Sequence, residues 1–317
     1  MVDNKQQWKA WLYLAPAIIL LLVFTVWPII NTVRVAFLED YGVLDEQGQI
    51  DEYGQAYYDY GIKNFKEVLG DGSKFFQCLK ITTILCVATV PLSTILALLI
   101  AVALNSIKPL QKTLQTIFFL PYVTNSIAIG MVFNAMFNIV GLKTDGTAQT
   151  YGIINNILMF FGGDNAWINW MNPGSSETAN LAVLIIYIVW NALPFKILIL
   201  LGGLQSINKQ YYDAAKVDGT PRRRVFTRIT VPLLSPMIAY VVITGFIGGF
   251  KEYSSVVGIF GEGMGIRGRL NTVVGLVYDA LGTDDTGQAS AAALILFGII
   301  LVVTMINTQV SKKRVHY

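Results

Sequence analysis

Charge is scarce in this 317-residue chain: Asp, Glu, Lys and Arg together make up 14% of it, where a soluble domain carries about a quarter. The net charge of +3 does not describe a basic nucleic-acid binder. There is one histidine, His316, in the C-terminal tail. That removes most zinc sites and most histidine-based acid–base schemes. The two cysteines, Cys78 and Cys86, supply neither a disulfide framework nor a metal-ligand spacing, and they read as small apolar packers. No phosphate-cradling Walker A motif occurs. Low-complexity stretches, a separate soluble domain and internal repeats are also missing.

What fills the chain instead is apolar, at 54% of residues. A helix crosses the hydrocarbon core with about 20 apolar residues, and six runs qualify: 11–37, 81–104, 114–140, 179–204, 236–258 and 289–308. The fifth is short, 236–250, and extendable through Gly258. The first is too long for a signal-peptide core and lacks a small-x-small cleavage site, so it reads as a retained span. Pro28, Pro91, Pro121 and Pro194 fall within or at the edges of spans, where neighbouring helices can satisfy the freed carbonyls. The fold class expected is an all-α membrane protein with six transmembrane helices.

Lysine and arginine set the orientation. With the N-terminus inside, the inner segments hold Lys5, Lys9, Lys108, Lys112, the basic stretch from Lys209 to Arg228, and Lys312, Lys313 and Arg314. The outer loops are then 39–76, 141–178 and 259–288, the first strongly acidic. Both termini are expected in the cytoplasm. Within the second outer loop, "YGIINNILMFFGG" (151–163) is too short to span and reads as an amphipathic helix lying in the outer interface. The tryptophans after it suit the headgroup level.

The inner loop 205–235 carries "DAAKVDGTPRRRVFTRITVPLL" from Asp213 onward. It reads as two short helices. Gly219 can take the left-handed conformation that ends the first. Pro221 can start the second, where its missing N–H costs little, and Pro232 ends it at the membrane. The pattern is Asp-Ala-Ala, three residues, Gly, nine residues, Ile, one residue, Val-Pro. It resembles the EAA signature of permease subunits in type I binding-protein-dependent ABC importers: Glu-Ala-Ala, three residues, Gly, nine residues, Ile, one residue, Leu-Pro. Asp213 for Glu and Val231 for Leu are the departures. "GIKNF" (61–65), "FFLPYVTNSIAIGMVFNAMFN" (118–138) and "VWNALPF" followed by "LGGLQSI" resemble the carbohydrate-uptake branch, maltose- or multiple-sugar-like. "GEGMG" (261–265) stands where relatives carry Gly-Gly-Pro.

The resemblance implies a coupling helix that docks on a cytoplasmic ATPase. Asp213, Ala214, Ala215, Gly219, Ile229 and Pro232 would form it. The implied partners are a second permease subunit, giving a heterodimer, two cytoplasmic ATPase subunits that hold ATP and Mg, an extracellular substrate-binding lipoprotein, and the lipid of the bacterial cell membrane. The chain itself would hold no cofactor or metal and catalyse nothing.

A sugar path through the bilayer needs polar groups and flat aromatic faces. The fourth span offers Tyr187, Trp190, Asn191, Phe195 and Lys196, and Ile188, Asn191, Ala192 and Phe195 share one helical face. A lysine near mid-bilayer costs about 2.5–3.5 kcal/mol and usually faces a cavity or a partner. Lys196 is thus expected either in the path or in a structural contact. In the fifth span, Gly245, Gly248 and Gly249 make a small-residue face, read either as close helix packing or as part of the substrate path. Lys251 and Glu252 lie beyond, Lys251 as a path candidate or paired with Glu252. Asn134 and Asn138 are further polar candidates. Two alternatives stay open: a permease for glycerol phosphate, and an ion-driven secondary transporter, which would want paired intramembrane acids.

Overall fold

The computed structural model describes residues 7–39, 41, 58–107, 111–140, 150–265 and 268–314. The expectations placed on Lys5, on Lys108, on most acids of loop 39–76 and on His316 lie outside these. The chain forms two compact units, one on residues 1–76 and 275–297, the other on 77–274 and 298–317.

In the first unit, α1 (Trp8–Ala36) is apolar along its length. A π-turn over Leu22–Val26 ends two residues before Pro28. A wide turn of this kind relaxes the ladder where proline has no N–H to give. The end of α1 is closed by α2 (Lys63–Leu69). Buried Asn64 donates through Nδ2 to Ala36 O at 3.1 Å and Leu38 O at 2.8 Å, satisfying carbonyls that the helix terminus leaves unpaired.

The second unit holds most of α3 (Phe75–Ser106), α4 (Gln111–Val123) and α5 (Ser126–Phe137). A two-residue strand pair follows, β1 (Ile139–Val140) against β2 (Thr150–Tyr151), with Ile139 opposite Tyr151. Then come α6 (Ile153–Gly162), α7 (Glu177–Ser206), α8 (Lys209–Val217) and α9 (Arg222–Leu233). Next come α10 (Ser235–Phe250) and α11 (Ser254–Phe260). The division between units falls within α3, α12 (Val273–Gly282) and α13 (Thr286–Arg314).

Among the described residues four helices, α1, α3, α7 and α13, are long and apolar enough to cross a bilayer unbroken. Two bent pairs make up to six. The run 114–140 is not one straight helix: α4 and α5 meet at 98°. Pro121 weakens the end of α4 by removing an N–H, and Asn125 restarts the chain as an N-cap, its Oδ1 accepting from Ile127 N at 2.9 Å. The run 236–258 is also broken. Its helix stops at Phe250, and α11 folds back onto α5. Likewise the helix through Pro232 does not end there. It continues to Leu233 and turns by 66° into α10, with a π-turn over Phe226–Thr230 ahead of the proline.

Two apolar clusters hold the unit. One joins Ile81 and Leu85 of α3, Phe137 of α5, Val183, Leu184 and Tyr187 of α7, and Val256 and Ile259 of α11. The other joins Ala97, Ala101 and Leu104 of α3, Leu200 and Leu204 of α7, and Val241 of α10. The small alanines let α3 approach closely, the usual currency of helix packing where lipid gives no hydrophobic drive. Between the two clusters, α3, α7 and α10 part around polar groups.

Candidate functional site

That parting is a cavity of about 280 Å³. From α3 it takes Thr89, Val90 and Ser93. Tyr122 comes from the end of α4, Ile188, Asn191, Ala192, Phe195 and Lys196 from α7, Thr244, Gly245, Gly248 and Gly249 from α10, and Glu252 from the turn after it. Of the path candidates read from the sequence, Ile188, Asn191, Ala192, Phe195, Lys196, Gly245, Gly248 and Gly249 meet in this one wall. Lys251 does not: it is exposed, outside the cavity and unpaired with Glu252. Glu252 instead accepts from Ser255 N at 3.0 Å at the start of α11.

Aromatic and amide groups give the cavity its polar and flat surfaces. The rings of Tyr122 and Phe195 stack at 5.8 Å and 19°, with Asn191 one turn before Phe195. Tyr187 and Trp190, offered by the same span, pack in the core instead. The Tyr187 hydroxyl donates to Ser126 O at 2.5 Å, and Phe133 lies 5.0 Å from Tyr187 and 5.1 Å from Trp190. Asn134 and Asn138 are also structural. Asn134 Nδ2 donates to Ile259 O at 2.6 Å, tying α5 to α11, and Asn138 Nδ2 donates to Asn134 Oδ1 at 3.3 Å.

The three glycines of α10 differ in what surrounds them. A Cβ on Gly249 would lie 2.8 Å from Cys86 Sγ, so that position is helix packing. A Cβ on Gly248 would meet nothing within 4 Å and would project into open space. Gly245 lies against Lys196, where a Cβ would be 3.2 Å from Nζ. Close packing therefore accounts for Gly249, while Gly248 borders open space.

Lys196 is 5% exposed. Its Nζ donates to Ser93 Oγ at 2.7 Å, Thr94 Oγ1 at 3.0 Å and Val90 O at 3.2 Å. These acceptors flank Pro91 of α3, which places the ammonium between two helices rather than along lipid. Thr89, Ser93, Tyr122 and Thr244 were missed in the sequence, and Glu252 was read only as a partner for Lys251.

A larger apolar groove, about 590 Å³, lies between α4 and another side of α7, along Phe118, Pro194, Leu198 and Leu201. It has few polar groups and no charged one, so it lacks the convergent polar contacts of a solute site.

The loop after α7 begins with α8, capped by Asn208, whose Oδ1 accepts from Gln210 N at 3.0 Å. Gly219 has φ +65°. Its N–H reaches Lys216 O at 3.2 Å, and Thr220 N–H reaches Ala215 O at 2.9 Å. This bond pair is a Schellman terminus. Pro221 is the N-cap of α9 rather than a residue of its first turn. Ala215 is buried, and Tyr212 Oη lies 3.3 Å from Thr230 Oγ1, holding α8 to α9. Asp213, Ala214 and Gly219 are exposed, while Ile229 and Pro232 are half-buried. Tyr211 and Val217 stand 54% and 87% exposed, so α8 presents an apolar, uncovered face next to the basic Arg222–Arg224.

Long apolar helices, a polar cavity among them and a short exposed helix between two of them define a membrane permease. Residues 91–316 match the model of the binding-protein-dependent transport system inner membrane component, and the chain belongs to that family. It is 31% identical over 316 residues to the probable ABC transporter permease protein YesP of Bacillus subtilis (strain 168), covering 99% of this chain and 94% of that one. It is 28% identical over 301 residues to the lactose transport system permease protein LacF of Rhizobium radiobacter, covering 94% and 91%. Its fold matches a chain of a bacterial alginate ABC transporter crystallised with a pentasaccharide-bound periplasmic protein. The TM-score is 0.79 at 20% identity, covering 98% of this chain and 96% of that one.

Proposed function

We propose that this chain is the permease subunit of an ATP-driven sugar importer and forms half of its translocation path. The observation that carries this is the cavity, where stacked Tyr122 and Phe195, Asn191 and bare Gly248 give a saccharide a flat ring face, an amide and room. Relatives named for lactose, multiple-sugar and trehalose/maltose transport support the solute class.

In this reading α8 is the coupling helix. Ala214, Tyr211 and Val217 enter a groove on a cytoplasmic ATPase, and Gly219 sets the turn that carries motion into α9 and α10. ATP closure of two ATPases then biases a rigid-body switch of the membrane helices. Both termini face the cytoplasm. A second, different permease completes the cavity, and an extracellular lipoprotein delivers the sugar. ATP hydrolysis belongs to another chain.

Purification of this chain from native membranes in mild detergent, followed by mass spectrometry, tests the assembly. Recovery of an ATPase, a second permease and a binding protein is the expected result. A lone chain that transports after reconstitution without ATP would falsify the reading.

A further inference from the structure

The hydrogen bonds around Lys196 favour its charged form. Ser93 Oγ spends its proton on Thr89 O at 2.5 Å, and Thr94 Oγ1 spends its own on Val90 O at 2.7 Å. Both hydroxyls can therefore only accept from Nζ, and a carbonyl can only accept. Three acceptors within 3.2 Å call for three N–H donors, which is the ammonium and not the neutral amine.

Among the described residues no carboxylate forms an ion pair with this charge. Glu252, the acid among the described residues of the cavity wall, accepts from Ser255 N at the start of α11. A buried charge held only by neutral dipoles keeps most of its field in a low-dielectric site. Intramembrane cations face the bundle interior or a cavity, and substrate paths and ligand counter-charges are among their roles. Lys196 lines the cavity beside Gly245, which puts no side chain over it. All three N–H groups are occupied, so the ammonium acts on the cavity by its field and not as a hydrogen-bonding ligand.

We infer that Lys196 makes the path selective for an anionic saccharide, one bearing uronate or phosphate groups. This rests on the sugar-importer reading above. Like-charged solutes such as amino sugars are disfavoured by the same field.

The test uses the whole transporter, purified through this chain with its partners, in proteoliposomes loaded with ATP. Uptake of labelled trigalacturonate, maltotriose and glucose 6-phosphate is compared. The expected result is uptake of at least one acidic probe in preference to maltotriose, with the acid-to-neutral ratio falling tenfold or more in Lys196→Met and recovering in Lys196→Arg. Which acidic probe is taken separates uronate from phosphate. Gly245→Ala keeps the lysine but lays a methyl over it, and lowers the same ratio. A defect in helix packing alone would lower all probes together and leave the ratio unchanged, which overturns the inference. Uptake of maltotriose alone also overturns it, while leaving the importer reading intact. Uptake of none of the saccharides overturns both.

Discussion

Gly130 of α5 lies backbone to backbone against Gly258 of α11: a Cβ on Gly130 would sit 2.7 Å from Gly258 Cα. This crossing turns the end of the fifth apolar run back along the third, and Asn134 fastens it by its bond to Ile259 O. Gly130→Val must push two backbones apart. Overpacking of this kind costs about 1–3 kcal/mol, and both neighbours here are main chain, so the upper end is expected. The thermal midpoint in detergent should fall clearly. An unchanged midpoint would mean the helices slide freely past each other.

The segment around α6 is tied to residues 168–170 by one buried side chain. Asn155 donates to Ile168 O at 2.9 Å and accepts from Ile168 N and Trp170 Nε1, each at 3.0 Å. Asn155→Ala leaves a carbonyl and two N–H donors without partners, at about 1–3 kcal/mol for each buried group. Amide exchange over residues 166–172 should speed by at least tenfold while that of α7 stays slow. Protection unchanged in that stretch would show that other contacts hold it.

The apolar runs were legible because a bilayer demands length and hydrophobicity from every span. The face holding Ile188, Asn191, Ala192 and Phe195 was legible because helical period puts those positions together. The breaks at Thr124 and Lys251 were not. Prolines occur inside intact helices here too, as Pro91 and Pro194 do, so proline alone does not mark a bend. Ser93 and Thr94 were overlooked for a different reason. Hydroxyls in a span read as bonds to the preceding turn, and only the approach of Lys196, 103 and 102 residues later, makes them a cation site. The same limit applies to Tyr187 and Trp190, whose amphipathic rings suit either a path or a core.

The terminus of α8 offers a test of coupling that leaves packing aside. Gly219 has φ +65° with open space around its missing Cβ, so substitution there costs backbone strain alone. Val is poorly suited to the left-handed region, and Asn tolerates it. Gly219→Val should leave membrane insertion intact and lower sugar-stimulated ATP hydrolysis by about tenfold, roughly what a strain of 1–2 kcal/mol allows. Gly219→Asn should lose much less. Equal activity of the two variants would show that the left-handed turn plays no part in coupling.

The sharpest separation of packing from transport lies at two adjacent residues. Gly249 is pressed on Cys86, with a Cβ position 2.8 Å from Sγ, and Gly248 faces open space with nothing within 4 Å. Gly249→Leu should therefore destabilise the contact of α10 with α3, by about 1–3 kcal/mol, and reduce the yield of folded protein. Gly248→Leu has room, so the thermal midpoint should stay within about 2 °C of the parent, as expected for a change of less than 0.5 kcal/mol. Its side chain would occupy part of a 280 Å³ cavity, and solute uptake should fall at least tenfold. A Gly248→Leu protein that is stable and transports normally would place the path elsewhere than among α3, α7 and α10. One that is as unstable as Gly249→Leu would return the whole glycine face to packing.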